Sequence, residues 1–199
     1  QSRRRARFAA RRTKKGALWG FHARGSDTVV AVPECQLVVP EVRGANALMD
    51  DLARTGGSRK GEMAVNVTLS EVGLDVFVTG GKPFDRELTL GLSGVVEAHK
   101  LARLTWDDEV IGMRNPPYQN FGAARVAPPP GAFLQATVHG QDSLTAAVLD
   151  AVSGEKGVDL FAGSGTFTLP LAEHYEMIAL EGEKPMIAAL DRGWREAKG

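Results

Sequence analysis

The sequence predicts an α/β protein in two parts: an α+β part rich in antiparallel strands, then a Rossmann-like parallel unit. Three observations carry that reading. Val65, Val67 and Leu69 alternate with polar or small residues, and so do Leu74, Val76 and Val78, with Glu71 to Gly73 between them. A period of two on both sides of a short turn is an antiparallel hairpin. Far downstream, Val158, Leu160 and Phe161 form an apolar run, as a buried parallel strand would, and Gly163-Ser164-Gly165 breaks it. Between the two lies RNPPYQNFGAARVAPPPG, residues 114–131, whose prolines make a semi-rigid connector. The boundary is placed inside it, dividing 1–130 from 131–199.

Residues 3–10 and 16–23 read as strands around a basic turn, Arg11 to Lys15, and Asp27 to Val32 as a third. Pro33-Glu34-Cys35 is a loop. Pro40 to Arg54 has helical apolar spacing at Val42, Ala45, Leu48, Met49 and Leu52, with proline at its start and Gly56-Gly57 after it. Asp85 is placed to cap a helix carrying Leu88, Leu92, Val95 and Val96. Leu101 to Trp106 and Glu109 to Met113 are two more strands, and Phe121 to Val126 adds one inside the connector. Phe133 reads as a packing anchor. Asp142-Ser143 starts an amphipathic helix with Leu144, Ala147, Val148 and Val152. Thr166 to His174 is a short helix and Met177 to Leu180 a second buried strand. Glu183 to Lys198 is a helix with acids first and bases last, as its dipole favours.

Formal charge is zero, but unevenly spread. Residues 1–24 hold nine Lys and Arg and no acid, so +9 there is balanced by −9 in the remainder. Such a block suits a nucleic-acid surface, and the interleaved Phe8, Trp19 and Phe21 offer rings for unpaired bases, which points to RNA. The alternative is a solvated basic terminus. Candidate RNA contacts are Arg3, Arg4, Arg5, Arg7, Phe21 and Arg24. No apolar run reaches the ~20 residues of a membrane span, and no apolar segment comes after the basic start as in a secretory signal. One cysteine, Cys35, excludes an internal disulfide; a cytoplasmic protein is expected. His22, His99, His139 and His174 show no metal-ligand spacing.

The strand, glycine turn, helix and second strand end on Glu181-Gly182, about 20 residues past the turn. A carboxylate there accepts hydrogen bonds from a ribose, so an adenosine-type cofactor is expected. A dinucleotide fingerprint would want Gly or Ala at position 168, where Thr168 stands. S-adenosylmethionine has no phosphate and needs close backbone approach rather than an anion cradle, so it is favoured.

DLFAGSGTFTLPLA, residues 159–172, GAFLQAT, residues 131–137, RRRARF and GFHARGSDTVVAVPECQLVVPEV together resemble the S-adenosylmethionine-dependent RNA uracil-5 methyltransferases, the bacterial enzymes that make 5-methyluridine in 23S ribosomal RNA, which have a transfer RNA relative. The resemblance runs through nearly the whole chain in order. Family members are about twice this length, so the match is to a middle portion. It implies a central RNA-binding domain over 1–130 and the start of a class I methyltransferase domain over 131–199. It implies cofactor contacts at Gln135, Phe161, Thr166 and Glu181, beside Asp159, Gly163 and Gly165, which the turn itself offers as candidates. The position of Thr166 is often asparagine in the family. Cys35 matches the fourth ligand of a four-iron, four-sulfur cluster, expected in the full-length parent but not in a chain with one cysteine. The thiolate nucleophile and general base of the family reaction lie past residue 199, so no catalytic residue is expected here. The chain alone is expected to be inactive, and either to self-associate through residues 144–197 or to leave that region its most mobile part. Three alternatives remain: a stand-alone RNA-binding module with a vestigial cofactor turn, a tRNA uracil-5 methyltransferase, and a small-molecule or protein methyltransferase.

Overall fold

The computed structural model describes residues 2–14 and 16–198 and separates them into two compact units meeting at Pro116/Pro117. That lies 14 residues ahead of the boundary read from the sequence, because 117–130 packs with residues of the second unit. The prolines mark a connector, but Phe121, Ala124 and Val126 are buried against Leu134, Ala162, Leu169, Ala189 and Leu190.

The first unit is a seven-stranded sheet with helices on one face. Strands β1 (Arg5–Arg12), β2 (Ala17–His22), β3 (Val29–Ala31), β4 (Met63–Ser70), β5 (Gly73–Thr79), β6 (Arg103–Trp106) and β7 (Glu109–Met113) lie in the order β3-β2-β1-β4-β5-β6-β7. All neighbours are antiparallel except β5 and β6. A parallel pair needs a crossover, and α3 (Arg86–Ala98) lies on that connection. Asp85 caps it as expected: its Oδ1 accepts the Leu88 amide at 2.7 Å. The 65–78 hairpin also forms as expected, with Val67 opposite Val76.

The single helix expected over 40–54 is two, α1 (Pro40–Arg43) and α2 (Asn46–Gly56). Gly44 closes the first turn, its amide donating to the Pro40 carbonyl at 2.7 Å. Apolar spacing runs on across the break, which is why periodicity alone joins the two. The core holds Phe8, Ala10, Trp19, Met63, Val65, Val76, Val78, Leu104 and Trp106 from the sheet, with Leu48, Leu52, Leu92 and Val96 from the helices. Lys15, in the expected basic turn, lies outside the described residues.

In the second unit, β8 (Gln119–Phe121) and β9 (Ala124–Val126) make a hairpin where one strand was expected. Next come α4 (Val138–Ala151), β10 (Lys156–Leu160), the one-turn α5 (Thr168–Leu171), β11 (Glu176–Leu180) and α6 (Lys184–Lys198). Helix α4 begins four residues before the expected Asp142, because Thr137 caps it by accepting the Gly140 amide at 2.9 Å. Strands β10 and β11 are parallel neighbours, Val158 opposite Ile178 and Leu160 opposite Leu180. They are not buried strands. Val158, Leu160, Ile178 and Leu180 are each more than half exposed, on one face of the pair. Phe133 is exposed too, and Leu134 beside it is the buried anchor. Among the described residues, no helix is long and apolar enough to cross a membrane.

Candidate cofactor cradle and nucleic-acid interface

The glycine turn is built from both sides. Phe161 leaves β10 at φ +62°, in the left-handed region that a bulky residue rarely enters. Gly163 and Gly165 come next at φ +58° and +95°. A Cβ on Gly165 would sit 2.7 Å from Leu169 and 2.9 Å from Leu190, so that glycine lets the turn close onto α5 and α6. A Cβ on Gly163 would meet nothing within 4 Å. The turn therefore has a packed side and an open side, and a ligand can approach the backbone on the open one.

Glu181, just past β11, holds the turn in place. Its Oε2 accepts the Gly163 amide at 2.8 Å and its Oε1 the Glu183 amide at 2.9 Å. These bonds, first from Glu183 and then from Gly163, hold the carboxyl below the usual range. It stays ionised at neutral pH, and a carboxylate oxygen already accepting one bond can accept another. Phe161, beside it, is 91% exposed. Gln135 and Thr166 are half-buried, and Gln135 is next to Leu134, which packs in one cluster with Ala162 of the turn.

Asp159 is differently placed. It alternates with Val158 and Leu160, so it faces α5, where its Oδ2 accepts the Thr168 hydroxyl at 2.6 Å. That bond gives a structural reason for threonine where a dinucleotide turn would want glycine or alanine. Phe161, Gly163 and Glu181 thus border the open side of the turn, while Asp159 braces the fold behind it. Neither bond to Glu181 was legible in sequence; the Gly163 bond spans 18 residues.

In the first unit the expected RNA contacts divide. Arg3, Arg7 and Arg24 are exposed, but Arg4 is buried. Arg5 is half-buried, and burial, then the charge of Arg3, lowers its pKa. The aromatic residues are not stacking platforms. Phe8 and Trp19 are buried edge to face with ring centres 5.3 Å apart, and Phe21 stacks on Phe8 at 5.1 Å. Strand alternation turns these rings into the core while Arg5, Arg7 and Arg11 point to the opposite face. The sequence reading missed Glu62, whose carboxylate accepts Arg11 Nε at 2.7 Å and His22 Nε2 at 2.8 Å. Separations of 51 and 40 residues hide that cluster from any local pattern.

Cys35 is a free, half-buried thiol against the core of the first unit. Among the described residues no three His, Cys, Asp or Glu side chains gather as metal ligands. An iron–sulfur cluster with four thiolates does not fit this chain's residues by themselves.

No family model matches the chain. An uncharacterized RNA methyltransferase of Brucella suis is 38% identical over 202 positions, covering all of this chain and 48% of that protein. Another, from Mesorhizobium japonicum, is 41% identical over 204, again covering all of this chain and 48% of the relative. The 23S rRNA (uracil(1939)-C(5))-methyltransferase RlmD of Shewanella amazonensis is 28% identical over 94% of the chain and 44% of its own length. Over nearly its whole length the chain is similar to these RNA methyltransferases. The fold has a counterpart among solved structures. The crystal structure of Pyrococcus abyssi tRNA (uracil-54, C5)-methyltransferase with S-adenosyl-L-homocysteine superposes with a TM-score of 0.74 at 17% identity. That superposition covers 98% of this chain and 52% of the other. The chain spans about half the length of the curated relatives it matches.

Proposed function

We propose that the second unit carries the first part of an S-adenosylmethionine site, and that the first unit is the RNA-binding domain of the same enzyme. That enzyme methylates carbon 5 of a uridine in 23S ribosomal RNA. The observation that carries this reading is the end of β10. There Phe161, left-handed and exposed, stands beside a Gly163 whose Cβ position is empty, with Glu181 ionised next to them. Strained backbone held in place by its surroundings marks functional sites. Phe161 is assigned to cover the cofactor, Gly163 and Gly165 to admit it, and Glu181 to accept its ribose hydroxyls. Gln135 and Thr166 line the same approach. When bound, the cofactor supplies an electrophilic methyl group on a sulfonium. Arg3, Arg7 and Arg24 are assigned to RNA phosphates, with Arg5 supporting them. For Cys35 the proposed role belongs to the full-length parent, as one of four cluster thiolates.

The test uses the full-length parent. It is incubated with tritiated S-adenosylmethionine and either ribosomal or transfer RNA lacking 5-methyluridine. Labelled 5-methyluridine in 23S rRNA is expected. Label only in tRNA would move the protein to the tRNA branch, and label in neither would overturn the reading. The alternative of an RNA-binding module without methyl transfer draws on the exposed cations of the first unit; it predicts RNA retention with no labelled product.

A further inference from the structure

The face of the first sheet opposite its helices contains a cavity of about 220 Å³ among β1, β2 and β4. Its polar lining is Arg7, His22 and Glu62, and its floor includes Ala9 and Ala64. These alanines are neighbours in register, and Ala9 also pairs with Gly20. Phe8 and Phe21 complete the lining, and beside Gly20 the Val30 carbonyl of β3 closes the space, so the open floor is that of the two alanines. The carboxylate is held from both sides: Arg11, outside the cavity, donates Nε to its Oε2 and also donates to the Asp27 carbonyl at 3.0 Å, while His22, in the lining, donates Nε2 to its Oε1. Arg7, exposed on the same face of β1, makes no hydrogen bond or ion pair among the described residues.

We infer that this cavity receives an unpaired guanine of an RNA strand. A carboxylate is acceptor-only and has about four lone-pair directions, of which Glu62 uses two. Guanine is the base that presents two adjacent donors, N1–H and N2–H, to such a group. Adenine and cytosine offer one amino group beside an acceptor, which a carboxylate repels, and uracil offers one N–H between two carbonyls. Arg7 stands where a backbone phosphate would flank the base. The exposed Arg3 and Arg24 then steer the strand without reading it, the usual division between phosphate and base contacts. This inference rests on the first unit being the RNA-binding domain, and it adds a base preference that neither the basic block nor the methyl-transfer chemistry contains.

The experiment measures fluorescence anisotropy of the labelled pentanucleotides AAGAA and AAAAA on the chain, with GMP as competitor. AAGAA is expected to bind at least about tenfold more tightly, the discrimination one bidentate pair supplies. Glu62→Gln replaces one acceptor with a donor and should abolish that preference, so that AAGAA and AAAAA bind the variant equally. Ala64→Leu fills the cavity and should do the same, with folding of both variants checked by thermal melting. Equal binding of the two RNAs, or a preference that survives both variants, overturns the guanine assignment and leaves general RNA binding intact. Binding of neither overturns both. GMP competing at the affinity of AAGAA overturns the RNA assignment in favour of a free-nucleotide site.

Discussion

Phe161 combines backbone strain with exposure. A non-glycine residue in the left-handed region costs roughly 1–2 kcal/mol, and a side chain 91% exposed regains none of that by packing. Phe161→Gly therefore tests whether the strain serves binding. In the full-length parent it should leave stability unchanged or raise it by up to about 1 kcal/mol, part of the relief being offset by the freer unfolded chain. It should weaken S-adenosylmethionine about tenfold or more, the value of burying one aromatic ring. Calorimetric titration beside chemical denaturation reads both, and a fall in both together would reassign Phe161 to the fold. Glu181 gives a pH prediction. Its folded pKa lies below the ordinary 4.5, so its bonds to Gly163 and Glu183 persist above the unfolded value and are lost as pH falls through the folded one. The amide shifts of Gly163 and Glu183 should titrate together with a midpoint under 4.5, and Glu181→Gln should remove the titration. A midpoint at or above that value would contradict the bracing role.

At the scale of elements, the parallel β5–β6 pair is fastened by a buried ion pair. Arg103 donates Nε and Nη2 to the two carboxylate oxygens of Asp75 at 2.8 and 2.7 Å. Burial raises the Asp75 pKa, opposed by the hydrogen bonds and charge of Arg103. The pair is thus costly to desolvate and costlier to break. Asp75→Ala should lower the stability of the first unit by about 3 kcal/mol, read as a shift of its denaturant midpoint. A loss under about 1 kcal/mol would show the pair to be dispensable. The cap of α3 is a smaller term. Asp85→Ala should cost about 1 kcal/mol, and Asp85→Asn much less, because asparagine keeps the acceptor for the Leu88 amide.

The whole molecule is unevenly finished. The first unit buries a continuous core between sheet and helices. The second has a parallel pair with one apolar face exposed, and α4 has Gln141 as its buried residue among those described. Unpaired strand edges and bare apolar faces invite association. The 199-residue chain is expected to bind S-adenosylmethionine weakly or not at all, to show no methyl transfer, and to associate as its concentration rises. Ile178→Lys, which places a charge on the exposed face of β11, should suppress that association without lowering stability. Light scattering across a concentration series measures it; a monomer at all concentrations with micromolar cofactor affinity would refute the expectation.

The two-part α/β architecture, the 65–78 hairpin, the Asp85 cap and the strand–glycine turn–helix–strand order were legible in the sequence, because each is written in local spacing or a single residue's conformational preference. The position of the glycine turn was legible for the same reason. Tertiary structure decided which side of each element meets what. It turned Phe8, Trp19 and Phe21 into a core cluster, moved 117–130 into the second unit, set Asp159 behind the turn, and brought Glu62 to Arg11 and His22. An apolar run looks the same whether its strand is covered on two faces or one, so Val158 and Leu160 read as buried and stand exposed. Pairings across 18 to 51 residues depend on register and topology, which no window of local sequence contains.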